Sequence, residues 1–178
     1  HYIARRPFAS KEFKKLQKQK QHFDQIHNLG QELVANYLKT AKEKIDHNKL
    51  RHESLTLALA VTDEVTRLKS KYKSFAIPIV HNMLIDVGIK KRGACKDWAE
   101  DLLSFLRTTE RDFFYVTWGE ANPKKMTEHN VAVVYPKHAT FYDGLLIDPW
   151  RTSGKPFWIR VKKDKHYKWN PWDYYGIY

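Results

Sequence analysis

Three residues of types that cooperate in thiol chemistry stand well apart in the chain: Cys95, its sole cysteine, His129 and Asp148. A cysteine becomes a nucleophile when its thiolate is stabilised and a base lies within reach. Cys95 sits in the run RGACKDW, where glycine allows a sharp turn into a helix. A cysteine in a helix's first turn feels the positive end of the helix dipole, and Lys96 adds a neighbouring charge. The structural reading of Cys95, a small packed hydrophobe, is as strong on these local features. His129 opens the apolar run HNVAVVYP, and Asp148 closes LLID just before Pro149. A carboxylate placed there can hold the second nitrogen of the imidazole and stabilise the imidazolium. Alone, His129 reads as structural and Asp148 as a turn residue. Together, in the order helix-borne cysteine, strand-borne histidine, strand-ending aspartate, they point to a Cys-His-Asp site.

The stretches RGACKDWAEDLLSFLR, EHNVAVVYP and LLIDPW resemble the three core motifs of the transglutaminase-like, papain-related cysteine hydrolase superfamily. The gaps of 34 residues from Cys95 to His129 and 19 from His129 to Asp148 suit its compact bacterial members. The resemblance covers residues 76–160. It implies Cys95 as nucleophile, His129 as general base and then acid, and Asp148 as the residue orienting the imidazole. Asp97 and Trp98 match the acidic and aromatic positions that follow the cysteine and are expected to support it. Two departures stand out. Many members carry an aromatic soon after the histidine, where this chain has Asn130 and Val131. The oxyanion glutamine of papain-type proteases has no counterpart between Val87 and Ala94, which leaves the Cys95 backbone N–H with Asn82 or His81 as candidate partners.

Around these residues the pattern reads as helices followed by strands. Residues 10–48 show apolar positions at helical spacing (Leu16, Phe23, Ile26, Leu33, Tyr37, Ala41, Ile45), with Gly30 marking either a break or a close crossing. DHNK (46–49) is the expected turn. A second helix is expected over 52–72, with Leu55, Leu59, Thr62, Val65, Leu68 and Tyr72 as its stripe. Pro78 opens a third helix that Gly88 ends. Cys95, Ala99, Leu102 and Leu106 form the buried stripe of a fourth, over 95–107. Strands are expected at 113–118, 129–136 and 158–163, with 141–149 either a strand or a hairpin around Asp143-Gly144. The expected fold is therefore α+β: a transglutaminase-like or papain-like core (76–178), its cysteine-bearing helix packed on a small, mostly antiparallel sheet, with an N-terminal helical hairpin (1–75) on that core. Five of the six tryptophans (Trp118, Trp150, Trp158, Trp169, Trp172) fall in the C-terminal third. They invite two readings, a cleft wall with Trp150 and Trp158 nearest the site, or packing over the sheet. Arg151 reads either as a binder of a substrate carboxylate or as a salt-bridge partner.

A composition 42% hydrophobic and 14% aromatic marks a packed protein rather than a disordered one. One cysteine excludes an internal disulfide and multi-cysteine zinc frameworks. No apolar run approaches the ~20 residues of a membrane span, and no convincing acidic calcium loop is present. No cofactor is expected. The net charge of +12 suggests attraction to a polyanion or a membrane surface, although lysines that merely solubilise the helices account for much of it. The chain starts at His1 without a signal-peptide pattern; a mature form exported to the periplasm or secreted, its upstream signal removed, is the favoured setting. The expected activity is thioester-forming hydrolysis or acyl transfer on an amide, in a peptide or protein substrate. The alternatives are a catalytically silent binding module with a basic surface and an arylamine N-acetyltransferase-like enzyme. RGAC departs from the latter's Arg-Gly-Gly-x-Cys element.

Overall fold

The computed structural model describes residues 10–72 and 94–172. Its elements are helices α1 (Ser10–Thr40), α2 (His47–Tyr72) and α3 (Cys95–Leu106), followed by strands β1 (Phe114–Ala121), β2 (His129–Pro136), β3 (Leu145–Ile147), β4 (Trp158–Arg160) and β5 (Asn170–Pro171). The helix expected after Pro78, with Asn82 and His81, lies outside the described residues.

The turn between the first two helices differs from the sequence expectation for a local reason. The Asp46 carboxylate accepts the backbone N–H groups of Asn48 and Lys49 at 2.9 and 3.1 Å, while the Asp46 carbonyl accepts the Leu50 N–H. Asp46 is thus an N-cap. It starts α2 at His47, five residues earlier than its apolar stripe indicates, and α1 stops at Thr40. Ala41 and Ile45, expected in the first helix, lie in the connection, half-buried against the core. Gly30 does not break α1. A Cβ there would stand 2.8 Å from the Leu55 side chain, so its lack of a side chain serves the close crossing of α1 and α2.

Two expected stripes are only partly buried. Ile26, Leu29, Leu33 and Tyr37 of α1 pack inward, whereas Leu16 and Phe23 remain 52% and 71% exposed. On α2 the core is formed by Leu50, Leu57, Ala58, Val61, Val65 and Leu68, with Leu55 and Leu59 left half in solvent. The helix axis, and not hydrophobicity alone, decides which positions meet the neighbouring layer.

The sheet is antiparallel throughout, in the order β4-β3-β2-β1-β5. Alternation divides its residues between two faces. Phe114, Val116, Trp118, Ala132, Val134, Leu145 and Ile147 join the buried residues of all three helices in one core. The hairpin therefore shares its interior with the sheet. Val131, Val133, Tyr135 and Leu146 point the other way, under Phe141, Val161 and Trp169. The segment 141–149, expected as a strand or as a hairpin around Asp143-Gly144, is instead a 3-10 turn at Phe141–Asp143 followed by the short β3, because Asp143 accepts the Thr140 hydroxyl at 2.7 Å and backbone N–H at 3.2 Å. Likewise 158–163 is strand only to Arg160 and then a 3-10 turn. Strand β5 had no signature, being two residues long.

Polar ties fix the helices to the site-bearing elements. Asp101 of α3 accepts the Tyr72 hydroxyl and, at 2.5 Å, the Lys71 ammonium, which joins the end of α2 to the cysteine helix. Glu53 of α2 accepts three successive backbone N–H groups, from Asp112, Phe113 and Phe114, at 2.6, 2.9 and 3.2 Å, where the chain turns into β1. Removing that carboxylate orphans three donors, two of them partly buried. Glu53→Ala is expected to cost about 2–3 kcal/mol of stability, read as a lower urea midpoint with an unchanged slope.

Candidate active site

Cys95 is the first residue of α3, and the local sequence explains the helix start. Ala94 is the N-cap, and the Asp97 carboxylate turns back to accept its N–H at 3.0 Å. Asp97 therefore shapes the turn that presents the cysteine. Trp98, the next residue, is buried with its ring 5.2 Å from that of Tyr72 and packs α3 onto α2. The Cys95 backbone N–H is among the first four of the helix, which have no acceptor within it. Cys95 is 7% exposed, with Sγ 3.9 Å from the carbonyl oxygen of Glu128, the residue before β2.

His129 begins β2, paired with Ala121 on β1, and is 1% exposed. Its Nε2 lies 2.8 Å from Oδ2 of Asp148. Asp148 follows β3, the strand next to β2, and its backbone N–H donates to the Phe157 carbonyl. Its side chain is likewise 1% exposed. The remaining ring nitrogen, Nδ1, is buried and makes no hydrogen bond. Cys95 stands beside the ring, near enough to help hold it protonated, yet without a formed S–H···N bond. The three residues thus meet at one end of the sheet in the order α3, β2, end of β3.

Burial alone would lower the His129 pKa. The hydrogen bond and charge of Asp148, joined by Cys95, outweigh it and raise the group to about 9. Aromatic rings enclose the imidazole: Trp150 at 4.8 Å, Tyr167 at 4.9 Å and Trp169 at 5.5 Å between centroids. Their faces suit a cation. Burial is the main cause of the raised Tyr167 pKa, so the phenol stays neutral beside the ring.

Asp148 has a second partner. Arg151 donates from Nε to the same Oδ2 at 2.8 Å, and its backbone N–H meets Oδ1 at 3.3 Å. The far side of the guanidinium meets Asp164 through Nη1 at 3.3 Å and Nη2 at 2.8 Å. Asp164, its side chain fully buried, also accepts the Trp169 indole N–H at 2.9 Å. The network runs from His129 through Asp148, Arg151, Asp164 and Trp169, and Trp169 returns to the face of His129. Arg151 is therefore a salt-bridge partner here, one of the two roles its sequence position allowed.

Of the aromatic tail, Trp150 reaches the histidine, and both Trp150 and Trp158 pack against the main core. Tyr167 and Asp164 were not foreseen. They lie in the loop after β4, where no periodicity marks them, and only the fold brings that loop across His129. Asn130, next to the histidine, accepts the Trp118 indole N–H at 2.8 Å. Among the described residues no group of three or more His, Cys, Asp and Glu side chains is arranged to hold a metal ion. Compared with family models, curated proteins and solved structures, the chain has no match.

The raised His129 pKa has a sign-determined consequence. A group that binds its proton more tightly when folded stabilises the fold fully below its unfolded pKa, ~6.5. That contribution is lost as pH rises through about 9. Urea unfolding from pH 6 to 9.5 is expected to show stability falling across this window, with a smaller fall in Asp148→Asn.

Proposed function

We propose that the chain is a cysteine acyl-transfer enzyme, a hydrolase or acyltransferase acting on an amide in a peptide or protein, of transglutaminase-like type. The observation that carries this reading is His129: a fully buried imidazole whose Nε2 is held by Asp148 and whose Nδ1 is left unbonded beside Cys95. A purely structural buried histidine has no reason to leave one nitrogen unsatisfied next to a thiol.

In this reading the Cys95 proton passes to Nδ1, and the imidazolium is stabilised by Asp148 and the surrounding rings. The sulfur attacks the amide carbonyl carbon, and the oxygen takes up negative charge against the Cys95 N–H at the start of α3. His129 returns the proton to the departing amine nitrogen as the carbon–nitrogen bond breaks, leaving a thioester on Cys95. Water, deprotonated by His129, attacks the thioester to release a carboxylic acid and regenerate the thiol. An amine in place of water gives a new amide.

Iodoacetamide tests the site without a known substrate. Cys95 is expected to be alkylated stoichiometrically near pH 6, at a rate that falls at least about 10²-fold in His129→Ala. Mass spectrometry of the intact chain reads both. A thiol that stays unmodified in the folded chain defeats the proposal and leaves a binding module. On a responsive peptide substrate, Asp148→Asn is expected to lower kcat by about 10²- to 10⁴-fold.

A further inference from the structure

Asp148 serves two cations through one oxygen: Nε2 of His129 and Nε of Arg151 both lie 2.8 Å from Oδ2. A guanidinium so placed competes with the imidazole for the negative charge that is to stabilise it. Left alone, Arg151 would neutralise Asp148 and weaken its hold on His129. The structure supplies a counterweight. Asp164, with its side chain fully buried, takes the other side of the guanidinium in a forked, two-bond contact, the strongest geometry for this pair. Two further donors, the His166 backbone N–H and the Trp169 indole, fix the carboxylate in place. Burial disfavours its charged form, yet the Arg151 bonds, with those of His166 and Trp169, hold its pKa down to about 2, so the counter-charge persists at any working pH.

We propose that Asp164 is a positioning residue: by satisfying Arg151 it leaves Asp148 able to hold His129, and through Trp169 it sets the ring that covers the imidazole. The inference rests on His129 and Asp148 as the proton-handling pair of the reading above. Counted over the cluster, Asp148 and Asp164 are negative and Arg151 positive, so a protonated His129 makes the four-residue group neutral. Without Asp164 the same proton would give a net positive, largely buried group, which is costly. Among the described residues, the ionisable groups facing His129 are Asp148 from the end of β3, Cys95 from α3, and Tyr167 from the loop after β4; Arg151 and Asp164 act one step further out.

The test is the titration of the His129 ring by NMR in the full chain, its signal assigned by its loss in His129→Gln. Asp164→Asn keeps the shape but removes the charge, and is expected to move the midpoint down by about one pH unit. Arg151→Gln removes the competing cation and is expected to move it up or leave it unchanged. The double variant is expected to return it to within about half a unit of the wild type. Trp169→Phe, which keeps an aromatic ring but loses the indole N–H and part of the ring surface beside His129, is expected to shift it down by less than Asp164→Asn. A merely structural role would loosen the site in the same direction for both charge variants. The proposal is overturned if Asp164→Asn leaves the midpoint in place, or if both single variants move it down. Should Asp164→Asn not fold, the double variant and Arg151→Gln decide by the same signs. Iodoacetamide labelling of wild-type Cys95 is read in parallel. An inert thiol sinks the cysteine-nucleophile reading, while the His129 midpoints still judge Asp164.

Discussion

The Asp148 carboxylate is taken almost wholly out of water and must find its bonds inside the protein. A buried charge is tolerated only when paired and hydrogen-bonded, and this one is met on two sides by His129 and Arg151. Much of the site's surrounding architecture follows. Arg151 requires Asp164, Asp164 orders the loop that carries Trp169, and Trp169 closes over His129. Each partner adds a bond to a charge that burial has taken largely out of water.

The helical layer does a different job. Residues of α1 and α2 share one core with α3 and the sheet, and Tyr72 with Lys71 ties α2 to Asp101 on the cysteine helix. The thiol's position relative to β2 is therefore set by packing over the length of α3, with a long approach of Sγ to the Glu128 carbonyl beside it. The Asp97 bond to Ala94 fixes where the helix begins. In the proposed reading, a small error in either would carry Sγ away from the imidazole, with which proton transfer needs it within hydrogen-bond reach.

Periodicity made several elements legible before any coordinates. The run HNVAVVYP is a strand with the expected bounds, because β-branched residues and a flanking polar loop leave few alternatives. Cys95 heads α3, as the spacing of Ala99, Leu102 and Leu106 required. Short features escaped for equally physical reasons. The α1–α2 boundary turns on one Asp46 side chain, which a hydrophobic stripe does not register. The stretch 141–149 is divided by the Asp143 bonds to Thr140, and a two-residue strand such as β5 has no pattern at all.

For the candidate site, residue types and order along the chain were enough to single out Cys95, His129 and Asp148, since thiol, imidazole and carboxylate chemistry is intrinsic to those side chains. The sequence also restricted Arg151 to two roles without choosing between them. The choice belongs to the tertiary structure: a loop thirteen residues downstream delivers Asp164 to the guanidinium, and the same loop lays Tyr167 and Trp169 on the imidazole. Such contacts depend on where the end of an antiparallel sheet meets a returning loop. Side-chain chemistry is local and can be read from a string, whereas the pairing of buried charges is settled only when the chain has folded and removed the water between them.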